Sequence, residues 1–540
     1  MHQPTAEPRP SIYYRTQVHA PWLPSAHPVP QRVPVAIAGA GPAGMVAALE
    51  LARLGVPSVL LNAELQVSQG SRAIVFTRRS MEILQQVGVA DRITAAGLPW
   101  RFGNSFYRGQ RVFRMEAPHD DDDRFFPMIN LQQQYLEEYL LDACAAQPLI
   151  DLRWGNQVTG VVNHADHAEV QVDTPEGPYT LPAGWLIAAD GGRSGLRSAL
   201  GLQMEGASYE GFFVIADIRI DLPYPTERMA FFDPPWNPGN TILMHREPHG
   251  IWRVDYQLPP GESPEDALRP ESMKARIDAQ LAMIGHAGTP WEMDWSSVYS
   301  ARTLTLPNFV HGRTLFTGDA AHLLPIFGVR GANTAFQDAQ SLAWHLAFVV
   351  RGLAGESLLA NHSAERVGAA REIIDEAGKS TRFMTPPSRG FALLRNAVLS
   401  LSLSQAFVRP LYHWRTSRPH EYTHSALNSP GDDNLLDHLG GGFDLLFFTQ
   451  ATAVPAPLLQ VLADARARGV PIRLTAIGAA QAVAGADHTL ADADGRVRQR
   501  YGVPASGGAY LLRPDQHVCA RWLTLDATRL QAALATALPQ

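Results

Sequence analysis

From residue 33 onward the apolar positions fall into two kinds of run. Residues 35–38 (Val-Ala-Ile-Ala), 56–61, 185–189 and 314–317 are short, nearly unbroken and bounded by Gly, Asn or Asp, the pattern of strands buried on both faces. Residues 45–54 and 334–350 are longer and predict helices, each following a glycine-rich break. Residues 211–258 instead alternate as half-buried strands, with a hairpin turn at Glu247-Pro248-His249-Gly250. An apolar, basic helical stretch fills 386–426. The chain then restarts from 428 with a helix at 456–468 and a strand at 472–478. The pattern predicts a mixed α/β and α+β protein built from a parallel-sheet domain, a second β-sheet domain and a smaller C-terminal domain.

With 540 residues the chain exceeds the ~250 to 300 at which single cores stop growing, so several domains are expected. A net charge of -7 provides no basic stripe for nucleic acid. The only cysteines, Cys144 and Cys519, exclude a disulfide framework, a cysteine-ligated zinc site and a dithiol pair. Apolar runs fall short of the ~18 to 20 residues that span a bilayer, and a cytoplasmic setting is expected. Seven prolines in the first 33 residues, without an apolar signal core, predict an arm lying on the surface or on a partner subunit.

The first glycine break reads Gly39-Ala40-Gly41-Pro42-Ala43-Gly44, between a strand and a helix. In such a loop Gly39 makes the tight turn, Gly41 lets a pyrophosphate approach the backbone, and Gly44 lets helix and strand pack closely. The helix start offers free N–H groups and its positive end. At the end of the next strand, where an acid commonly holds a ribose, stand Asn62 and then Glu64. No second such loop follows, so one dinucleotide is resident and any other visits.

Two further breaks follow strands: Asp190-Gly191-Gly192 with Arg193, Ser194 and Arg197, and residues 318–333, "GDAAHLLPIFGVRGAN". The ordered set, with "SRAIVFTRRSMEIL" at 71–84, resembles single-component flavoprotein aromatic hydroxylases of the para-hydroxybenzoate hydroxylase fold, over residues 33–385. The similarity is greatest to the branch with phenol hydroxylase and 3-(3-hydroxyphenyl)propionate hydroxylase. It implies FAD as cofactor in a Rossmann-like FAD-binding domain. Asp319, after Gly318, would accept from a ribityl hydroxyl. Pro325 would lie by the flavin's reactive edge, and the N–H groups around Gly331 and Ala332, before Asn333, would face its pyrimidine oxygen. Asp190 and Gly191 would lie near the nucleotide. Arg72 and Gln133 match flavin-contacting positions, although Arg72 also reads as a surface ion pair. His322 reads as a structural residue at the turn or as a base.

The resemblance implies that NADPH or NADH reduces FAD and that O2 forms a flavin hydroperoxide, which hydroxylates a phenolic or related electron-rich aromatic ring. The substrate would lie against the sheet domain. Arg246 matches a substrate-gripping arginine or pairs across strands, Arg246 or Arg253 with Asp255. His245, Tyr209 and Tyr256 are candidate partners for the phenol proton. No metal site is expected, and Asp120 to Asp123 read as a solvated turn. The expected organisation is an arm (1–32), an FAD-binding domain (33–104, 131–206, 300–385), a substrate sheet domain (105–130, 207–299), a helical linker (386–427) and a thioredoxin-like domain (428–540) without the dithiol, structural or forming a homodimer. A flavin-dependent dehydrogenase or halogenase on the same fold and a non-enzymatic FAD-binding scaffold stand as alternatives. A Trp-x-Trp-x-Ile-Pro halogenase signature is absent.

Overall fold

The structure is a computed structural model that describes residues 1–539, apart from 6, 71, 121–122, 260, 325–327, 413–424 and 426–440, and apart from the side chains of 208–210, 301, 377, 409–410 and 412. It divides into two compact units: Met1–Val46, Val59–Asp338 and Val367–Pro419 in the first, and Ala47–Ser58, Ala339–Arg366 and His420–Gln540 in the second.

The first unit holds two eight-stranded sheets. In one, the strands Thr314–Phe316, Gly177–Ala188 and Val33–Ala38 are neighbours and run parallel, with Ile187 beside both Ile37 and Leu315. These are the strands that end in the three glycine breaks, so the order of the sheet sets the breaks side by side at the carboxyl edge, where open α/β sheets bind ligands. The strand residues Ala36, Ala38, Leu186, Ala188 and Phe316 share one apolar core, which drives the pairing.

In the second sheet Glu205–Arg219 lies between Glu292–Thr305 and Ile251–Gln257, followed by Thr241–Arg246, Arg228–Phe232, Phe102–Tyr107 and Gln110–Glu116. Its other edge is the short strand His322–Leu323, which ties the break after Gly318 to this sheet. Alternation along the strands divides the faces. Val214, Ala216, Met244, Trp252, Val254 and Tyr256 pack on Ile277 and Leu281 of helix Pro270–Met283. The opposite face carries Phe213, Ala230, Phe232 and Leu243, packed on Phe383, Met384 and Leu399, and a polar set described below.

Residues 1–32 are woven into this unit. Arg9 Nη2 pairs with Asp294 at 3.0 Å, Ser11 Oγ and Ile12 N donate to the same carboxylate at 2.7 Å each, and His19 stacks on Trp154 at 4.4 Å. Asp123 is buried and paired with Arg78 at 2.8 Å, so at least this member of the aspartate run is not the solvated residue expected.

The second unit contains a five-stranded mixed sheet in the order His488–Leu490, Ile472–Ile477, Phe443–Phe448, Gly508–Leu512, Val518–Trp522, the first three parallel and the last two added antiparallel. Helices Ala456–Ala467 and Ala527–Ala537 accompany it. Cys519 lies buried on its edge strand. Burial pushes both its thiol and that of Cys144 up to about 12, which leaves neither a thiolate at neutral pH. Among the described residues no helix is long and apolar enough to cross a membrane.

Candidate flavin and substrate site

The glycines of the first break are required by geometry. Gly39 has φ +103°, and a Cβ there would lie 2.4 Å from Ala189 O; a Cβ on Gly44 would lie 2.0 Å from Gly39 O. Gly41 differs: a Cβ would meet nothing within 4 Å, which leaves the open approach a diphosphate needs in front of the helix Pro42–Arg53. Gly318 packs between two helix starts, where a Cβ would come within 3.2 Å of Ala43 and 3.3 Å of Ala335. Gly39, Gly41, Pro42, Ala43, Gly44, Asp190, Gly191, Gly318 and Asp319 thus surround the carboxyl ends of three adjacent strands.

Arg197 fastens two of the breaks together, its guanidinium donating to Ala320 O at 3.1 Å and Gly192 O at 2.8 Å. Asp190 Oδ2 accepts from Leu196 N at 3.1 Å, whereas its Oδ1 is buried without a hydrogen-bond partner among the described residues. Thr317 Oγ1 is likewise unpartnered. Asp319 is open to solvent but crowded by protein, the situation of a group lining a cleft. This crowding raises its carboxyl pKa, against the pull of His322 and Arg72. Orphaned polar atoms and glycines facing free space are what a bound dinucleotide would complete, and the residues present fit FAD.

Around this core the other predicted residues take defined places. Asn62 Oδ1 accepts from Ala40 N at 3.3 Å, which orients it at the first break, while one oxygen of Glu64 accepts from Thr5 N at 2.9 Å. Gln133 accepts from Ala73 N at 2.9 Å and donates to Glu137 at 2.6 Å, bracing the loop that carries Arg72. Gly331 and Ala332 open the helix Gly331–Val350, and among the described residues no atom lies within 4 Å of a Cβ placed at Gly331. Asn333 is a buried clamp: its amide donates to Val75 O and Val329 O, and its oxygen accepts from Thr77 N and Ser80 Oγ. Just before, Val329 holds φ +58°, strained for a β-branched residue. Pro325 and the side chain of Tyr209 lie outside the described residues. His322 is buried with Nε2 2.5 Å from Asp338 Oδ2, a structural pair.

The polar face of the second sheet turns towards this loop. Arg253 Nη1 donates to Arg72 O at 3.0 Å, Trp295 fills the space above Gly70, and Trp100 meets His245 edge-on at 6.5 Å while packing with Ile74, Val75 and Val329. His245, Arg253 and Asp217 are register neighbours on three strands. Arg253 pairs with Asp217 through two 2.8 Å bonds. This corrects the expectation of a pair with Asp255: Asp255 is two residues along the same strand, whereas Asp217 is directly opposite. Arg246 and Tyr256 fall on the other face. Arg246 donates to Tyr224 O at 2.9 Å, and Tyr256 packs edge-on against Trp236 at 5.8 Å.

Sequence reasoning missed the incompleteness of this polar face. Among the described residues His245 Nδ1 and Asp255 Oδ1 are buried without hydrogen-bond partners, and Glu247 is held only by an ion pair, its Oε1 3.5 Å from Arg253 Nε. Burial, with Arg228 and Arg253 nearby, holds His245 well below its ordinary value and so neutral. Burial raises Asp255 to about 7, with Asp217 adding to the rise and Arg253 and Arg228 opposing it. The alternation of residues 251–257 carried the signal for which side chains share a face; the missing partners carried none.

The carboxyl-edge loops and the open cradle define a flavoprotein of the FAD-binding kind, and the chain belongs to the family described as FAD binding domain, whose profile matches residues 32–377. It is 30% identical over 375 residues to a 3-(3-hydroxy-phenyl)propionate/3-hydroxycinnamic acid hydroxylase of Mycolicibacterium smegmatis, an alignment covering 68% of this chain and 64% of that one, just under two thirds of the relative's length. The fold is shared with the flavin-dependent monooxygenase PieE, solved with FAD and substrate (TM-score 0.77, 24% identity, 94% of this chain and 98% of that). It is shared equally with aklavinone-11 hydroxylase, solved with FAD and aklavinone (TM-score 0.76, 23% identity, 94% and 99%).

Proposed function

We propose that the protein is an FAD-dependent monooxygenase that uses NAD(P)H and O2 to hydroxylate a phenolic or related electron-rich aromatic compound. The observation that carries this reading is the meeting of a flavin cradle with a buried sheet face on which, among the described residues, His245 Nδ1 and Asp255 Oδ1 have no hydrogen-bond partner. Bound FAD would supply the redox chemistry, taking a hydride from the nicotinamide and activating oxygen. The chain would supply the rest.

In this reading Gly41 and the first turn of Pro42–Arg53 hold the pyrophosphate, Asn62 and Glu64 face the ribose, and Asp319 accepts from the ribityl chain. Arg72, Gln133 and the N–H groups at Gly331 and Ala332 surround the ring system, where the positive helix end favours an electron-rich flavin. The apolar wall of Trp100 with Ile74, Val75 and Val329 would exclude water from the reacting centre. His245, neutral and with Nδ1 unbonded among the described residues, would orient the phenolic hydroxyl by a hydrogen bond, and Asp255, raised to about 7, would take its proton. A phenolate is the more nucleophilic ring, so this proton transfer is the protein's own contribution to rate. The five-stranded mixed sheet of the second unit is read as a thioredoxin-like domain without a dithiol, serving a structural or dimer-forming role in the cytoplasm.

The test is substrate-stimulated NAD(P)H oxidation with product analysis by mass spectrometry across a panel of phenols, including phenylpropanoids and polycyclic phenols. A yellow protein that yields no oxygenated product and no stimulated oxidation with any of them would refute the proposal.

A further inference from the structure

The strands Gln157–Asn163 and Ala168–Thr174 form a hairpin, and its tip reads Asn163-His164-Ala165-Asp166-His167-Ala168-Glu169. Nothing in the flavin reading uses these residues. His164 and His167 stack with ring centroids 4.5 Å apart. Their Nε2 atoms lie 3.6 and 3.9 Å from Glu169 Oε1, and one ligand atom from each of the three lies within 4.8 Å of the others. Around Zn2+, with bonds of about 2.1 Å, tetrahedral ligand atoms are about 3.4 Å apart, so the two carboxylate distances need close by only about half an ångström or less.

Two further features show a prepared arrangement. His167 Nδ1 lies 2.9 Å from Asp166 Oδ1. A carboxylate only accepts, so the ring proton sits on Nδ1 and Nε2 presents its lone pair towards Glu169, the carboxylate–histidine orientation that supports bound metals. The tip is also pinned: His164 N donates to His167 O at 2.8 Å, Arg313 donates twice to Ala165 O at 3.0 and 2.7 Å, and Arg32 Nη1 lies 3.0 Å from Asp166 Oδ2. The side chains of His164 and Glu169 are 40% and 44% exposed, which leaves the ligand atoms open to an arriving ion.

We propose that His164, His167 and Glu169 form a surface site for a divalent transition-metal ion, with Asp166 as a positioning residue and water completing the coordination. Two imidazoles and one carboxylate suit Zn2+, Ni2+ or Cu2+ and disfavour Mg2+ and Ca2+, which take oxygen ligands.

The experiment is calorimetric titration of ZnCl2 into chelator-treated, FAD-loaded full-length protein at pH 7.5, compared with His164→Ala/His167→Ala and Asp166→Asn. The expected result is one Zn2+ site per chain that the double variant lacks, that weakens roughly 10- to 100-fold in Asp166→Asn, and that MgCl2 does not fill. Zn2+ should raise the melting temperature of the wild type and leave that of the double variant unmoved. Flavin content equal to wild type shows the variants are folded, since the tip lies outside the flavin site. Equal Zn2+ stoichiometry and affinity in wild type and double variant would overturn the proposal, as would equal binding of Mg2+.

Discussion

Each unit of the molecule buries a cluster of charges, and the two clusters differ in how fully their carboxylates are bonded. In the second unit Arg513 donates to both oxygens of Glu365 at 2.6 and 2.9 Å and to both of Asp515 at 3.1 and 2.6 Å, and Trp344 Nε1 adds a bond to Asp515 at 2.9 Å. In the first unit Arg253 bonds Asp217 twice and its Nε lies 3.5 Å from Glu247 Oε1, but among the described residues the adjoining His245 Nδ1 and Asp255 Oδ1 have no hydrogen-bond partner. A saturated buried network holds a structure in one arrangement. An unsaturated one costs stability unless something arrives to complete it. On the proposed function, the difference would separate a group of residues that supports the fold from one that meets a ligand, although both are charged and buried.

The sharpest way to break this comparison is Arg513→Ala. It strands two buried carboxylates and should cost about 3 to 5 kcal/mol in urea unfolding while leaving the KM for the aromatic substrate unchanged in protein that remains folded. A change in KM would show that the second cluster is not purely structural. Next in size is His245→Ala, expected to lower kcat on a phenol by about 100-fold or more, with little change in flavin content. Stopped-flow turnover of the two variants side by side checks whether unsaturation marks function.

Asp255 gives the same comparison a pH axis. Its folded pKa of about 7 stands above the ordinary carboxyl value near 3.8. Below about pH 4 it is protonated in both states and costs nothing; between about 4 and 7 the unfolded chain ionises first, so stability falls as pH rises, by about 1.4 kcal/mol for each full unit of pKa difference. Asp255→Asn should therefore flatten the unfolding free energy between pH 4 and 7, and an unchanged slope would show that Asp255 is not the titrating group. Asp319→Ala should weaken FAD binding by about tenfold, read from flavin fluorescence on dilution. Smallest is Tyr256→Phe: on the face packed by helix Pro270–Met283, it should alter kcat less than twofold and stability by under about 1 kcal/mol.

The cradle was legible because its requirements are local. A φ of +103° at Gly39 and a Cβ distance of 2.0 Å at Gly44 admit only glycine, so the chain must write them as glycine at fixed spacing. The substrate side was less legible because a strand's alternation tells which residues share a face but not which face meets the flavin. Arg246 and Tyr256 stand two residues or fewer from His245 and Asp255 and point the other way. The Arg253–Asp217 pair spans 36 positions and depends on register between strands.

The sequence by itself determined the flavin cradle, the alternating strands of the second sheet and the absence of a dithiol, because each rests on residue type within a few positions of the chain. Tertiary structure alone decided that three distant breaks lie on adjacent parallel strands, that the arm at 1–32 is fastened to Asp294, and that, among the described residues, His245 Nδ1 and Asp255 Oδ1 have no hydrogen-bond partner. Those outcomes depend on which strand lies beside which and on which polar groups find partners, and such pairings between distant segments have no counterpart in local composition.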